Sequence, residues 1–306
     1  MMKCHRCEKR AVIRMRQHRL IFCKDHFREW LAAYTGRAIQ KYHLFTPAEK
    51  ILLAVSGGKD SLSLWDILSR LGYNVTGVYI HLGIDEGLSY SDLSLRFTQE
   101  FARPRGLTLL TVDLKALYGS TLPEFASRNR RGRIKPCSLC GLIKRHEMNR
   151  VAQEGGFDVL ATAHNLDDEV SVLFSNSLAW DLEQLARQAP LLPAREGFVR
   201  KVKPFCRVYE RETAAYALTQ GIAYIEDECP FSVDSAMIEN KMLLNEMETR
   251  HPGLKLGFYS SFLNARKRGT FPPTLAEAEA LHACPSCGQL TTSTGLCAFC
   301  RLLQRD

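Results

Sequence analysis

No apolar run in this chain comes near the roughly 18 residues needed to cross a bilayer; residues 51–55 are among the longest. The N-terminus, Met1-Met2-Lys3-Cys4-His5-Arg6-Cys7, lacks the apolar core of a secretory signal. Both absences argue against a membrane or exported protein and lead to the expectation of a cytoplasmic one. Internal repeats and low-complexity stretches are missing as well. Hydrophobic residues at 45% and charged residues at 24% exclude a mainly disordered or fibrous chain. An acidic excess is absent too: the charge balance is 41 − 33 = +8, which favours an acidic partner without identifying one. At about 150 residues per domain, 306 residues leave room for one large domain with appendages, or for two domains.

Cysteine, by contrast, is abundant. Eleven of them in a compartment where disulfides are rare need another use, and metal binding comes first. They sort by position. Cys4, Cys7 and Cys23, with His26 three residues further on, form one terminal group; Cys284, Cys287, Cys297 and Cys300 form the other. Each group offers four ligands in two tight pairs, which suits tetrahedral zinc. A structural zinc supplies on the order of 10 kcal/mol of folding free energy, and the last segment is too short to build a core of its own. His5 and His18 are nearby, but His26 repeats the Cys4-x2-Cys7 spacing and is the preferred ligand. The middle group differs. Cys137 and Cys140 form one pair, whereas Cys206 and Cys229 stand alone. Three thiolates leave a coordination position open, as a reactive metal centre requires; a redox dithiol or a third zinc compete with that reading.

Between the terminal groups, short apolar runs at 51–55, 75–80, 107–112 and 158–163 alternate with helical patterns, including an amphipathic stretch over 142–152. That alternation predicts a parallel sheet covered on both faces, with ligands beyond the carboxyl ends of the strands. Ser56-Gly57-Gly58-Lys59-Asp60-Ser61 and Asn165-Leu166-Asp167-Asp168-Glu169 both fall there. The first loop has neither the Walker spacing nor a dinucleotide fingerprint. Its glycines still allow close backbone approach, the following helix offers free N–H groups to an anion, and Lys59 adds a charge. Asp167 and Asp168 are equally suited to capping the N-terminus of a helix.

Ser56-Gly57-Gly58-Lys59-Asp60-Ser61 after an apolar strand resembles the PP-loop of ATP pyrophosphatases, which cleave ATP to AMP and pyrophosphate. Together with Pro136-Cys137-Ser138-Leu139-Cys140-Gly141, His164 to Glu169 and Glu228-Cys229-Pro230, the chain resembles the TtcA/TtuA family of tRNA thiolases over nearly its whole length. The terminal cysteine groups point to the TtuA branch and its relatives that thiolate wobble uridine. The resemblance implies an α/β fold with a parallel-sheet PP-loop domain flanked by two zinc modules, divided as 1–32, 33–271 and 272–306, with a hinge at Pro272-Pro273. It implies ATP held by Ala54, Ser56, Gly57, Gly58, Lys59, Asp60 and Ser61, with Lys144 and Asp168 close to it and needed for activity. It also implies magnesium, two zinc ions, and a 4Fe–4S cluster on Cys137, Cys140 and Cys229 with one iron free of protein ligands; Cys206 has no counterpart and reads as an ordinary thiol. A persulfide on Cys137 or Cys140 is the alternative sulfur carrier. His81 departs from the family, where aspartate is common.

The implied reaction is ATP-dependent 2-thiolation of a tRNA uridine, most naturally the T-loop uridine. A wobble-uridine enzyme, a PP-loop synthetase with another acceptor, and a non-catalytic zinc-module RNA binder are the alternatives. The partners implied are tRNA and a sulfur donor, either sulfide or a thiocarboxylated ubiquitin-like carrier protein, with no membrane; dimers are frequent in the family, so a homodimer is expected. Arg128, Arg130, Arg131, Arg133, Lys135 and the run Arg266-Lys267-Arg268 suit contacts to tRNA phosphates.

Overall fold

The computed structural model describes residues 2–84, 89–128, 135–231, 236–271 and 281–304. Arg130, Arg131, Arg133 and the expected hinge at Pro272-Pro273 lie outside them.

The chain opens with a small antiparallel pair, β1 (Ile13–Met15) and β2 (Leu20–Phe22), followed by α1 (Lys24–Lys41). Then come β3 (Ile51–Ala54), α2 (Lys59–Arg70), β4 (Val75–His81), α3 (Tyr90–Ala102), β5 (Leu109–Asp113), α4 (Leu114–Tyr118), α5 (Leu122–Arg128) and α6 (Pro136–Glu154). The second half holds β6 (Val159–Ala161), α7 (Leu166–Leu178), α8 (Leu182–Arg187), β7 (Leu191–Leu192), β8 (Arg200–Val202), α9 (Glu210–Gln220), α10 (Ala236–Arg250) and α11 (Leu254–Lys267). It closes with β9 (His282–Ala283), β10 (Leu290–Thr291) and α12 (Ala298–Leu303).

Six strands make one sheet in the order β5-β4-β3-β6-β8-β7, parallel except for β7. The chain leaves β3 for β4 and β5 on one side, then returns through α6 to β6 on the other. The crevice beyond the carboxyl ends of β3 and β6 is therefore the topological switch point, where such sheets bind ligands. The two polar loops of the sequence follow these two strands.

Alternation along the central strands divides the core. Ile51, Leu53, Val55 and Tyr79 face one cluster; Leu52, Val78 and Ile80 face the other, as the strand period of two dictates. Gly77 sits mid-strand because a side chain there would come within 2.4 Å of the Trp65 ring. Each terminal module joins a different face. Met15, Phe22, Phe27 and Trp30 belong to the first cluster, whereas Phe299 and Leu302 pack with Leu139 and Ile143 in the second. α1 starts beside Cys23, carries His26 and runs unbroken past residue 32 into the PP-loop domain.

Two local features differ from the sequence expectation. The helix expected over 142–152 begins earlier, at Pro136, a favourable first helical residue, so the Cys137/Cys140 pair lies within the first turns of α6. β7 and β8 went unnoticed because two or three residues are too few to show a period.

Candidate active site at the PP-loop

β3 ends at Ala54 and α2 begins at Lys59, so Ser56, Gly57 and Gly58 form the turn between them. Ser61 braces it: its hydroxyl accepts from the Ser56 N–H (3.1 Å) and donates to the Gly58 carbonyl (3.0 Å). Gly57 has φ +74°, and a Cβ there would stand 2.4 Å from the Ser94 carbonyl oxygen. Gly58 has an ordinary φ of −85° and room for a methyl group. Gly57→Ala is thus expected to distort the loop and abolish ATP-to-AMP turnover, whereas Gly58→Ala keeps the fold. Equal turnover in the two variants would refute this reading of the turn.

A cavity of about 140 Å³ opens beside this turn, with Ala54, Ser56, Tyr79, Cys140, Lys144 and Cys229 in its wall. α6, the crossover helix, brings Cys140 and Lys144 onto one face, as four-residue spacing requires. Cys137, one turn earlier and exposed, donates its thiol hydrogen to the Phe231 carbonyl (2.9 Å), which ties it to the segment carrying Cys229. Burial pushes the Cys229 thiol up; the Phe231 N–H and the Lys144 charge act against that, while Cys140 and Cys137 add to it. Three soft sulfur donors beside an anion-binding loop fit an iron–sulfur cluster. Among the described residues, the groups drawn within 4.8 Å of one another, as a single ion requires, are the two terminal ones and not this trio. Cys206 is fully buried in a third cluster, its thiol pushed up to about 12 by that burial.

Asp168 lies across the PP-loop in a capping box at the start of α7: its carboxylate accepts from the Asn165 N–H (3.0 Å), and Asn165 accepts from the Asp168 N–H (3.1 Å). Its other oxygen is 2.6 Å from the Lys241 ammonium. Lys241 continues to Glu210 (3.2 Å), which meets Lys59 (2.8 Å), which in turn meets Asp60 (3.1 Å). Alternating charges thus connect the loop lysine to Asp168. Burial works against the Lys59 charge, but Asp60 and Glu210 hold its pKa above the usual lysine value; Lys241 is raised likewise by Asp168 and Glu210. Glu210 and Lys241 escaped the sequence reading. Glu210 begins α9 and Lys241 stands mid-way along α10, each without a motif around it.

Asp167, Asp168 and Glu169 each have their own lysine. Asp167 pairs with Lys255 at 2.5 Å, Asp168 with Lys241, and Glu169 with Lys203 at 2.7 Å. Beyond Lys59 and Glu210 a further cavity of about 440 Å³ reaches Arg16 of the N-terminal module. His81, at the end of β4, places its Nε2 3.0 Å from Asp92.

Both terminal groups have metal-site geometry. Cys4, Cys7, Cys23 and His26 converge within 4.8 Å, as do Cys284, Cys287, Cys297 and Cys300. Burial opposes ionisation of Cys4, but backbone N–H groups, led by that of Arg6, and His26 bring its thiol down to about 6. Cys284 reaches about 6 in the same way, burial being outweighed by the N–H groups of Cys297, Cys287 and Ser286. Such donors suit zinc. His18 instead packs among Trp30, Tyr34 and Tyr209.

Among the described residues, no helix is long and apolar enough to cross a membrane. Residues 3–28 match the N-terminal LIM domain of the 2-thiouridine synthetase TtuA, and residues 32–234 match the PP-loop domain. The tRNA-5-methyluridine(54) 2-sulfurtransferase of Thermus thermophilus is 47% identical over 303 residues, covering 98% of this chain and 91% of the relative. The enzyme of that name from Pyrococcus horikoshii is 40% identical over 300 residues, covering 98% and 93%. Among solved structures, the U34-tRNA thiolase NcsA of Methanococcus maripaludis with its 4Fe–4S cluster superposes with a TM-score of 0.77 at 27% identity, covering 99% of this chain and 95% of that one. With its PP-loop placed at the switch point and its similarity running from end to end, this chain belongs to the tRNA-5-methyluridine(54) 2-sulfurtransferase family of PP-loop proteins.

Proposed function

We propose that this protein uses ATP to replace the C2 oxygen of the T-loop uridine of tRNA with sulfur. The observation that carries the reading is a single cavity at the switch point whose wall includes the start of the PP-loop at Ala54 and Ser56, Lys144 and two of the three central cysteines.

Oxide is a poor leaving group, so the base oxygen is first converted into a phosphate ester: it attacks the α-phosphate of ATP and expels pyrophosphate. The turn around Ser56–Gly58 and the N-terminus of α2 bind the departing phosphates. Lys59 and Lys144 balance the charge that develops on them. Asp168, already held by Asn165 and Lys241, positions magnesium or the base. Sulfur then displaces AMP at the activated carbon. A 4Fe–4S cluster held by Cys137, Cys140 and Cys229 supplies, when bound, a Lewis-acidic iron that favours ionised sulfide. Sulfide or a thiocarboxylated carrier protein is the donor, and a homodimer in the cytoplasm is the working form. An enzyme transferring nitrogen has no need of three cysteines beside its PP-loop.

Mass spectrometry of digested tRNA from cells lacking the protein tests this directly. Loss of thiolated ribothymidine is expected. Loss of wobble thiouridine instead would move the target to the anticodon, and an unchanged nucleoside profile together with no tRNA-stimulated AMP formation would refute thiolation altogether.

A further inference from the structure

Against a different face of α6 from the PP-loop cavity lies a groove of about 600 Å³, bounded by the β7–β8 edge of the sheet, α8 and the C-terminal module. Among the described residues its wall carries five cations, Arg145, Arg187, Arg195, Lys201 and Arg266, and no carboxylate. A smaller cavity shares Arg145, Phe198 and Lys201 and extends the groove along the module.

The groove is built rather than incidental. Arg195 and Phe198 exchange backbone hydrogen bonds (3.0 and 2.9 Å) across a tight turn at Gly197, whose carbonyl accepts from Asn149 of α6 (3.0 Å). The same Asn149 donates to Gln289 of the module (3.2 Å), and Gln289 donates back to the His146 carbonyl (3.2 Å). Phe299 stacks on His146 with ring centroids 3.9 Å apart. Arg266 is aimed by the bond from its Nε to the Ala186 carbonyl (3.0 Å), and Arg187 pairs with Glu183 on its own helix. Where the two cavities meet, at Arg145 and Lys201, the charges are unbalanced. Among the described residues neither Arg145 nor Lys201 has a carboxylate partner. Burial, then the nearby Arg145 guanidinium, push Lys201 below the ordinary lysine range.

We propose that this groove binds the sugar–phosphate backbone of the substrate RNA, with Arg145 and Lys201 as its central phosphate contacts. The proposal rests on the functional reading above and adds where the RNA is held. A phosphate between Arg145 and Lys201 removes their mutual repulsion, and the side chains of Thr291 and Thr292 in the groove wall suit phosphate oxygens as donors. Arg145 directly follows Lys144 on α6, so the two cations project from one helix about 100° apart, Lys144 lining the catalytic cavity and Arg145 the groove. The C-terminal module then acts as one jaw of the groove, which gives a cysteine-bound fold at the chain's end a role in substrate binding.

The test is binding of the full chain to an unmodified tRNA transcript across a salt series. Arg145→Gln, Lys201→Gln and Arg266→Gln combined are expected to weaken binding at least about tenfold at physiological salt and to flatten the slope of log K against log salt by about 2, at roughly 0.7–0.9 per lost contact. Zinc content and circular dichroism report whether the triple variant folds, and Arg266→Glu alone, on an exposed helix position, reads the same effect without touching Arg145 or Lys201. Lys115→Glu, exposed on α4, controls for net charge. Wild-type affinity and slope in the folded triple variant would overturn the groove while leaving thiolation standing. So would loss of binding to an acidic peptide with tRNA binding intact, which would make the groove a protein site. A wild-type chain that neither binds nor thiolates tRNA would bring down the functional reading itself.

Discussion

Anaerobically reconstituted protein carrying Cys229→Ala or Cys140→Ala is expected to be colourless, low in iron and inactive in forming thiolated ribothymidine. Substitutions one shell outside a metal site already cost about 10–100-fold in affinity or activity, and removing a ligand should exceed that. ATP binding should persist, because the phosphate turn is braced by Ser61 and Gly58 and not by the cysteines. Cys206→Ala is the control: that thiol is sealed in the core, lies outside the cavity wall and is pushed up to about 12, so iron content and activity should survive with only a stability cost. Iron assay, the visible spectrum and nucleoside analysis read the three outcomes separately. Full thiolation by an iron-free preparation would refute the cluster and leave the persulfide route, in which Cys137 or Cys140 carries the sulfur.

The second large effect concerns stability. Lys255 and Asp167 are both nearly inaccessible, at 2% and 4% exposure, and lie 2.5 Å apart. Lys255 also donates to Asn245, and Asp167 accepts the Glu210 N–H at 2.8 Å. Lys255→Met leaves Asp167 as an uncompensated buried charge, for which about 3–5 kcal/mol of destabilisation is expected. Adding Asp167→Asn should recover much of that loss, since the amide oxygen still accepts the Glu210 N–H and no charge stays buried. Urea unfolding measures both, as a shift in midpoint at constant slope. A Lys255→Met midpoint equal to wild type would show that the pair contributes nothing. Because Glu210 also grips Lys59 and Lys241, disturbance at Asp167 should reach the ATP site, and AMP formation in the double variant measures how much.

Short-range chemistry was legible in the residues alone. Cys-x2-Cys knuckles and the Ser-Gly-Gly-Lys-Asp-Ser turn declare themselves because neighbours in the chain supply all or half of each site. The capping box at Asn165 and Asp168 is equally local. Glu210, Lys241, Lys203 and Lys255 were invisible for the opposite reason: each lies between 31 and 88 residues from the group it serves, or further in the case of Lys59 and Glu210, and a solvated lysine on a helix has the same local pattern. The groove is more hidden still, since α6, α8, the turn at Gly197, β8, α11 and the C-terminal module each supply only part of its lining.

What the amino-acid sequence determined by itself was therefore the inventory: an anion-binding turn, two pairs of metal knuckles, the Cys137/Cys140 pair and an alternating α/β core, all encoded over short stretches of chain, whereas Cys229, 89 residues beyond Cys140, joined that pair only through the family resemblance. Which of those parts meet was decided by the tertiary structure. The sheet order sends the chain from β5 back across β3 to β6, and that crossover makes α6 a wall of both a catalytic cavity and a basic groove. Sequence periodicity reports which face of an element is buried; only packing of distant elements brings a lysine to its carboxylate or leaves two cations facing each other.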